Sequence, residues 1–251
     1  MMNTNRLKQW IAESSPALRA RLTGVLYLIN GTVYSKADGL VHGRILVKDD
    51  AAATAHNILT NGSLLQLSFA YNLIATVTYI AVTFMLYELL KPVNRSISLL
   101  AAFFSMAGCT VGAFGSFFTI APLTILGGAP YLSVFKAEQL QALALLSLNL
   151  STIVADISMV LFGCYCILIG SLILRAKFMP RIIGGFLIIA GLTYQFFMSP
   201  QLAANLFSHV VMPAGALGEG SLILWLLIFG VNSRRWREQA ALRWKRERTG
   251  S

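Results

Sequence analysis

The chain has 251 residues, of which 56% are hydrophobic and only 12% are charged, with a formal net charge of +10. Soluble domains carry about 25% charged residues, so this composition excludes a water-soluble globular protein, and the apolar content excludes a disordered one. The mean hydropathy of +0.68 indicates that lipid is the solvent for most of the chain.

Six apolar segments follow one another along the chain, and each predicts a transmembrane helix. Only helices and closed barrels satisfy the backbone polar groups in lipid, and these segments are too long for barrel strands of about ten residues. The first segment runs from Leu22 to Ser35 and is the shortest. The other five are approximately 67–90, 97–126, 148–174, 182–202 and 210–230. The predicted fold is therefore an all-α bundle of six transmembrane helices.

Most of the 20 Lys and Arg residues fall before the first span, in the turns after the second and fourth spans, and in the tail. With six spans these positions share one side of the membrane, and the positive-inside rule places that side and both termini in the cytoplasm. We divide the chain into a basic N-terminal segment (1–21), a six-helix membrane domain (22–230) and a basic cytoplasmic tail (231–251).

The outer loops are predicted to carry short amphipathic helices. Asp50 precedes an Ala-rich stretch that stops at Asn61 and Gly62, which is typical of a capped helix with a glycine end. In the other loop the stretch that begins at Lys136 and Ala137 predicts a helix that runs directly into the fourth span.

Several stretches give the chain a family resemblance. They are Arg21–Ile29, Asp50–Leu59, Tyr87–Asn94, Gln139–Leu146, Pro180–Gly184 and Gly218–Leu227. On these stretches the chain, over roughly residues 16 to 232, resembles a bacterial membrane-protein family known as domain of unknown function 4386. The resemblance implies a multi-pass protein of the bacterial cytoplasmic (inner) membrane, and it brings no activity with it.

The chain departs from the family pattern at two places. Relatives often have a histidine early in the fourth span, where this chain has Ser151. The outer helix before that span usually starts with an acidic or Ser-Pro cap, where this chain has Lys136 and Ala137. If the histidine is functional in the family, this member lacks that function.

Two carboxyl groups lie inside predicted spans, Asp156 in the fourth and Glu219 in the sixth. An ionisable group in a bilayer costs about 2.5–3.5 kcal/mol on insertion scales, so each needs a physical reason. One hypothesis is a proton or cation site in a polar cavity, and the other is hydrogen bonding that holds helices together. Asn149 and Thr152 share a helix face with Asp156.

The second span carries a polar stripe at steps of three and four residues, which is one helix face. Its members are Ser68, Asn72, Thr76, Tyr79, Thr83 and Tyr87. The stripe either packs against another helix or lines a cavity opposite Asp156 or Glu219. The candidate polar site among spans two, four and six is therefore Asp156, Glu219, Asn72, Asn149, Thr152 and Tyr79.

The third span carries small residues on one face, which lets another helix approach closely. The central positions are Gly108, Gly112 and Gly115, and the first two form a GxxxG pattern. These residues are predicted to pack helices together, and this span is predicted to be central in the bundle.

The tail predicts a basic helix with Trp236, Ala240 and Trp244 along one edge. Such a helix suits an anionic lipid leaflet, where each basic residue contributes about 1 kcal/mol. Nucleic-acid binding is disfavoured because the tail is tethered beside a membrane. The expected partners are the lipid bilayer, anionic lipid at the tail, and a homo-oligomer or another membrane protein.

Sequence motifs for catalysis, cofactor binding or metal binding are absent, and Cys164 and Cys166 point to different sides of a helix. Three function classes remain open. The first is a protein that binds or moves a small ligand or ion through the polar cavity. The second is a structural or regulatory protein that acts through partners, and the third is an enzyme acting on a lipid-like substrate, for which the sequence gives the least support.

Overall fold

The computed structural model describes the backbone of residues 15–249 and the side chains of residues 15–243. Its regular elements are helices throughout this range. The α-helices are α1 (Pro16–Arg44), α2 (Ala51–Thr60), α3 (Gly62–Leu90), α4 (Arg95–Leu126), α5 (Ala137–Arg175), α6 (Arg181–Tyr194), α7 (Pro200–Leu206), α8 (Met212–Ile228) and α9 (Ser233–Thr249). Short 3₁₀ or π turns occupy Pro130–Leu132, Gln195–Met198 and Phe207–Val211. Most of the predicted basic N-terminal segment, residues 1–14, lies outside the described residues.

Five stretches of the described chain are long and apolar enough to cross a membrane. They are Gly62–Leu90, Arg95–Leu126, Ala137–Arg175, Arg181–Met198 and Pro200–Ile228. These correspond to the second to sixth predicted spans. The helix α1 contains the predicted first span, but polar residues such as Lys36 and Asp38 dilute its apolar character. The first span, and with it the total of six spans and the orientation of the termini, therefore stays a prediction.

The helix ends follow the local sequence signals. The Asp50 side chain accepts a 2.8 Å hydrogen bond from the Ala53 backbone amide, so the predicted cap of α2 is confirmed. The α2 helix ends at Thr60, and Asn61 caps it immediately before Gly62. As predicted, α5 starts at Ala137 and continues through the fourth span without a break.

The chain divides into two compact units, and each is described by itself. The first unit contains the chain up to Leu28, the segment Ile80–Met106 and the chain from Val160 onward. The second unit contains Ile29–Tyr79 and Ala107–Met159. Helices α1, α3, α4 and α5 each contribute residues to both units.

In the first unit, glycines bring α5 and α6 into very close contact. A Cβ atom placed on Gly170 would lie 2.6 Å from the Gly184 carbonyl oxygen, and one placed on Gly191 would lie 2.5 Å from the Gly163 carbonyl oxygen. Any side chain at these positions would clash with backbone. The two glycine pairs repeat after seven residues on both helices, which is two helical turns.

In the second unit, serines of α5 hydrogen-bond to the backbone of α4. Ser158 Oγ donates to the Gly108 carbonyl at 2.8 Å, and Ser147 Oγ donates to the Phe118 carbonyl at 2.9 Å. Ser151 Oγ donates to the Gly115 carbonyl at 3.3 Å. The small-residue face of α4 therefore lies directly against a serine face of α5. A separate apolar cluster contains Val41, Ile45, Ile58, Leu65, Ala144 and Leu148.

Large apolar side chains cover much of the outer surface. Val77 is 68% exposed, and Phe103 and Phe117 are each 64% exposed. Soluble monomers rarely expose large contiguous apolar patches, and many large apolar side chains of the described residues are exposed. These side chains are typical of a protein that is solvated by lipid.

Candidate functional site

Glu219 of α8 lies between two tyrosine hydroxyls in the first unit. Tyr27 Oη of α1 donates a hydrogen bond of 2.7 Å to Glu219 Oε2, and Tyr194 Oη of α6 donates one of 2.6 Å to Oε1. Each carboxylate oxygen thus accepts one hydrogen bond from a phenol. We call these three residues the tyrosine clamp. The clamp ties α1, α6 and α8 together through a single side chain.

Glycines of α8 make room for the clamp. Gly215 lies one helical turn before Glu219, and a Cβ atom there would lie 2.5 Å from the Tyr194 hydroxyl oxygen. A Cβ atom at Gly218 would lie 2.7 Å from the Cβ of Ala190 on α6. The absence of side chains at these two positions lets α6 approach α8 closely enough for Tyr194 to reach the carboxylate.

The tyrosine clamp has no positive charge of its own to balance Glu219 when this residue is ionised. Phenolic hydroxyls at ordinary pH donate hydrogen bonds but carry no positive charge. Among the described side chains, the ion pairs join other residues and none includes Glu219. Groups of three or more His, Cys, Asp or Glu side chains that could hold a metal ion are absent from the described residues.

Asp156 lies in the second unit and has different neighbours. It is half-buried on α5 and interacts electrostatically with Tyr34 of α1. Thr152 Oγ1 donates back to the Leu148 carbonyl of its own helix at 3.3 Å, and Asn149 is exposed. The predicted stripe of Asn149, Thr152 and Asp156 is therefore only partly turned inward.

Much of the polar stripe on α3 takes part in helix packing. Ser68 Oγ donates to the Ala37 carbonyl of α1 at 2.9 Å, within the second unit. In the first unit, the Thr83 and Ser105 hydroxyls are 2.6 Å apart. Thr76 Oγ1 donates to the Asn72 carbonyl of the same helix at 2.9 Å. These bonds favour the packing interpretation for most of this stripe.

The candidate residues do not all share one unit. Asn72, Tyr79, Asn149, Thr152 and Asp156 belong to the second unit, whereas Glu219 belongs to the first. A meeting of Asp156 and Glu219 stays a prediction. Within the first unit the structure brings Glu219 together with two tyrosines that the sequence reasoning did not single out.

Comparison with known proteins places the chain in a family. The profile of the family described as domain of unknown function 4386 matches residues 22–230. The chain belongs to this family. Neither the curated proteins nor the solved structures contain a match. The matched stretch of this domain of unknown function 4386 member contains the whole tyrosine clamp and ends before α9.

A polar stripe on α1 of this family member was missed in the sequence analysis. Its members are Thr23, Tyr27, Asn30, Tyr34, Asp38 and His42, which recur every three or four residues. Tyr27 bonds to Glu219, and Asn30 Nδ2 donates to the Ala75 carbonyl at 2.7 Å. The spacing alone would have indicated that this face of α1 meets protein.

The tail helix and the basic turns of this family member contact one another in the first unit. Trp236 Nε1 of α9 donates to the Leu89 carbonyl at 2.8 Å, beside the basic turn after α3. Gln239 Oε1 accepts from the Lys177 amide at 3.0 Å, in the basic turn after α5. The guanidinium of Arg19 lies over the Trp236 ring, 5.2 Å from its centroid. The tail helix is thus docked on the bundle through specific contacts.

Proposed function

We propose that this protein is a six-span protein of the bacterial cytoplasmic membrane, with both termini in the cytoplasm, that binds one positive charge at Glu219. The charge is a proton or a small monovalent cation. The observation that carries the proposal is the tyrosine clamp, in which both oxygens of an intramembrane carboxylate accept hydrogen bonds from neutral phenols.

The energetics of the clamp favour uptake of a positive charge. Two hydroxyl donors orient the carboxylate and stabilise its ionised form, yet they leave its charge of −1 uncompensated. A bare charge in a bilayer is costly, so intramembrane carboxylates usually pair, protonate or bind ions. Protonation or cation binding at Glu219 removes this cost and changes the hydrogen bonds that join three helices.

The second candidate function is structural, and the same contacts favour it. Glu219 ties α1, α6 and α8 together, and the polar groups of α3 and α4 are largely engaged in helix packing. In that case Glu219 holds the bundle closed and the protein acts through partners. An enzymatic role on a lipid-like substrate draws on the same carboxyl and gains no additional support from the geometry.

Ligand-dependent stability distinguishes these functions. The melting temperature of the purified protein in nanodiscs is measured across a range of pH. It is also measured at constant ionic strength with NaCl, KCl or choline chloride. Glu219→Gln mimics the neutral carboxyl, so the proposal predicts that it removes the dependence on acid or cation that the parent shows. Glu138→Gln removes an exposed carboxyl of α5 and should behave as the parent does.

The outcomes separate the two candidates. A response to Na⁺ or K⁺ that choline does not produce identifies a cation, and a response to pH alone identifies a proton. If the parent responds to neither, or if Glu219→Gln responds as the parent does, charge binding at Glu219 is wrong. Lower stability of Glu219→Gln in all conditions, without a response in the parent, is the result expected of the structural role.

A further inference from the structure

Two pockets lie at the basic end of the first unit, and the tail helix α9 contributes residues to both. One, of about 460 Å³, lies beside Trp225, and the other, of about 360 Å³, lies beside Trp236. The smaller pocket is lined by Tyr87, Lys91, Pro92, Arg95, Trp236, Ala240 and Arg243. Its walls come from the end of α3, the following turn, the start of α4 and the tail. We call it the tail pocket.

The tail pocket carries a surplus of positive charge. Lys91 Nζ is 2.6 Å from Glu88 Oε1, so these two charges compensate each other. Arg95 and Arg243 also line the pocket. Arg243 donates to the Lys91 carbonyl, which fixes this side chain at the rim of the pocket. The Arg95 side chain forms neither hydrogen bonds nor ion pairs with the described residues.

Aromatic side chains lie beside the basic residues of the tail pocket. Trp236 contributes its ring to the pocket, and the guanidinium of Arg19 adds a further positive charge at that ring. Tyr87 lies beside Lys91 Nζ, 5.9 Å from ring centroid to nitrogen. Tryptophan, tyrosine and basic residues together are typical of the headgroup level of a membrane. The pocket lies at the end of α3, where a predicted span ends.

We propose that the tail pocket binds a phosphate group, namely that of an anionic phospholipid headgroup. Guanidinium groups match phosphate oxygens through paired hydrogen bonds, and the pocket lining contains two of them, of which Arg95 is the one without a partner among the described residues. The volume falls in the usual range for small-molecule sites, which is about 300–1,000 Å³. The tail pocket shares no residue with the tyrosine clamp, so its test does not depend on the proposed function.

Lipid retention tests the proposal. The full-length protein is reconstituted in nanodiscs of phosphatidylcholine with phosphatidylglycerol, and the retained phosphatidylglycerol is counted by native mass spectrometry. Arg95→Gln removes a charge without breaking a bond to the described residues, and retention should fall roughly fivefold, the factor given by about 1 kcal/mol for one basic residue. Arg237→Gln is the matched control, because Arg237 is an exposed arginine of the tail helix α9 that lies outside the pocket lining.

A second arm separates lipid from soluble phosphate. The same three proteins in pure phosphatidylcholine nanodiscs are titrated with inorganic phosphate by calorimetry. Phosphate binding that Arg95→Gln abolishes, without selective phosphatidylglycerol retention, supports the phosphate chemistry and assigns a soluble source. Equal retention in all three proteins with no phosphate binding overturns the proposal. An equal loss in Arg95→Gln and Arg237→Gln also overturns it, because the effect would then be general charge attraction.

Discussion

Tyr194 donates a 2.6 Å hydrogen bond to Glu219 across the contact between α6 and α8. This hydrogen bond therefore links α6 to α8, and the same carboxylate also accepts a hydrogen bond from Tyr27 of α1. The strength of this link depends on how closely the helices approach. Glycines on α8 set that approach, and they give the first test of the geometry.

We expect Gly215→Ala to weaken the clamp, because the new methyl group would lie 2.5 Å from the Tyr194 hydroxyl oxygen. Loss of a hydrogen bond to a charged group costs roughly 1.5–3 kcal/mol. Gly220→Ala is the control, since nothing lies within 4 Å of a Cβ atom there, and it should stabilise α8 by up to about 1 kcal/mol. Unfolding in mixed detergent micelles measures both. Equal effects of the two variants would mean that Gly215 does not position Tyr194.

We expect Gly112→Leu to abolish folding, because even a Cβ atom at Gly112 would lie 3.3 Å from Ser158 Oγ of α5. A leucine needs far more room than that seam provides. Gly185→Leu is the matched substitution, since a Cβ atom at Gly185 has nothing within 4 Å. Expression yield and monodispersity in detergent report the outcome. A well-folded Gly112→Leu protein would contradict the close packing of α4 on α5.

The Asp38 and His42 pair predicts a pH effect at the end of α1, beyond the predicted first span. The two side chains are 2.9 Å apart, and the hydrogen bond to Asp38 raises the pKa of His42 above its usual 6.5. The stabilisation is therefore complete below about pH 6.5 and disappears as the pH rises through the higher folded pKa. Both groups are partly solvated, so the effect is below about 1 kcal/mol.

Melting temperatures compared across that pH window check this pair. The parent should lose stability relative to His42→Gln as the pH rises from about 6 to about 8. His56→Gln, which leaves the pair intact, should follow the parent. Parallel curves for the parent and His42→Gln would show that the pair contributes nothing.

We expect Trp236→Phe to loosen the tail, because Trp236 Nε1 donates to the Leu89 carbonyl at 2.8 Å. Limited proteolysis of α9 in nanodiscs should proceed several-fold faster in this variant. Trp225→Phe is the control, because Trp225 Nε1 is buried and has no hydrogen-bond partner among the described residues. Unchanged tail cleavage in Trp236→Phe would indicate that other contacts suffice for docking.

The sequence predicts features that depend on neighbours within a few residues of the chain. The Asp50 cap of α2 and the continuous helix from Ala137 follow from local propensity, and both are present in the structure. The spacing of Gly108, Gly112 and Gly115 identifies a helix face suited to close contact. These patterns are visible because a helix repeats every 3.6 residues.

The partners of polar residues could not be predicted in the same way. Tyr27 and Glu219 are 192 residues apart in the chain, and no periodic pattern connects positions so distant. The tail was expected to meet a lipid leaflet, and spacing alone could not show that Trp236 reaches the Leu89 carbonyl. Contacts between helices depend on how the bundle packs, which a single sequence does not specify.

Infrared difference spectroscopy of Glu219 tests the central claim most directly. Spectra of the protein in nanodiscs are recorded before and after acidification, and before and after addition of Na⁺ or K⁺. The account predicts a carboxyl band that changes in the parent, that is absent in Glu219→Gln, and that is shifted in Tyr194→Phe. Identical difference spectra for the parent and Glu219→Gln would contradict it.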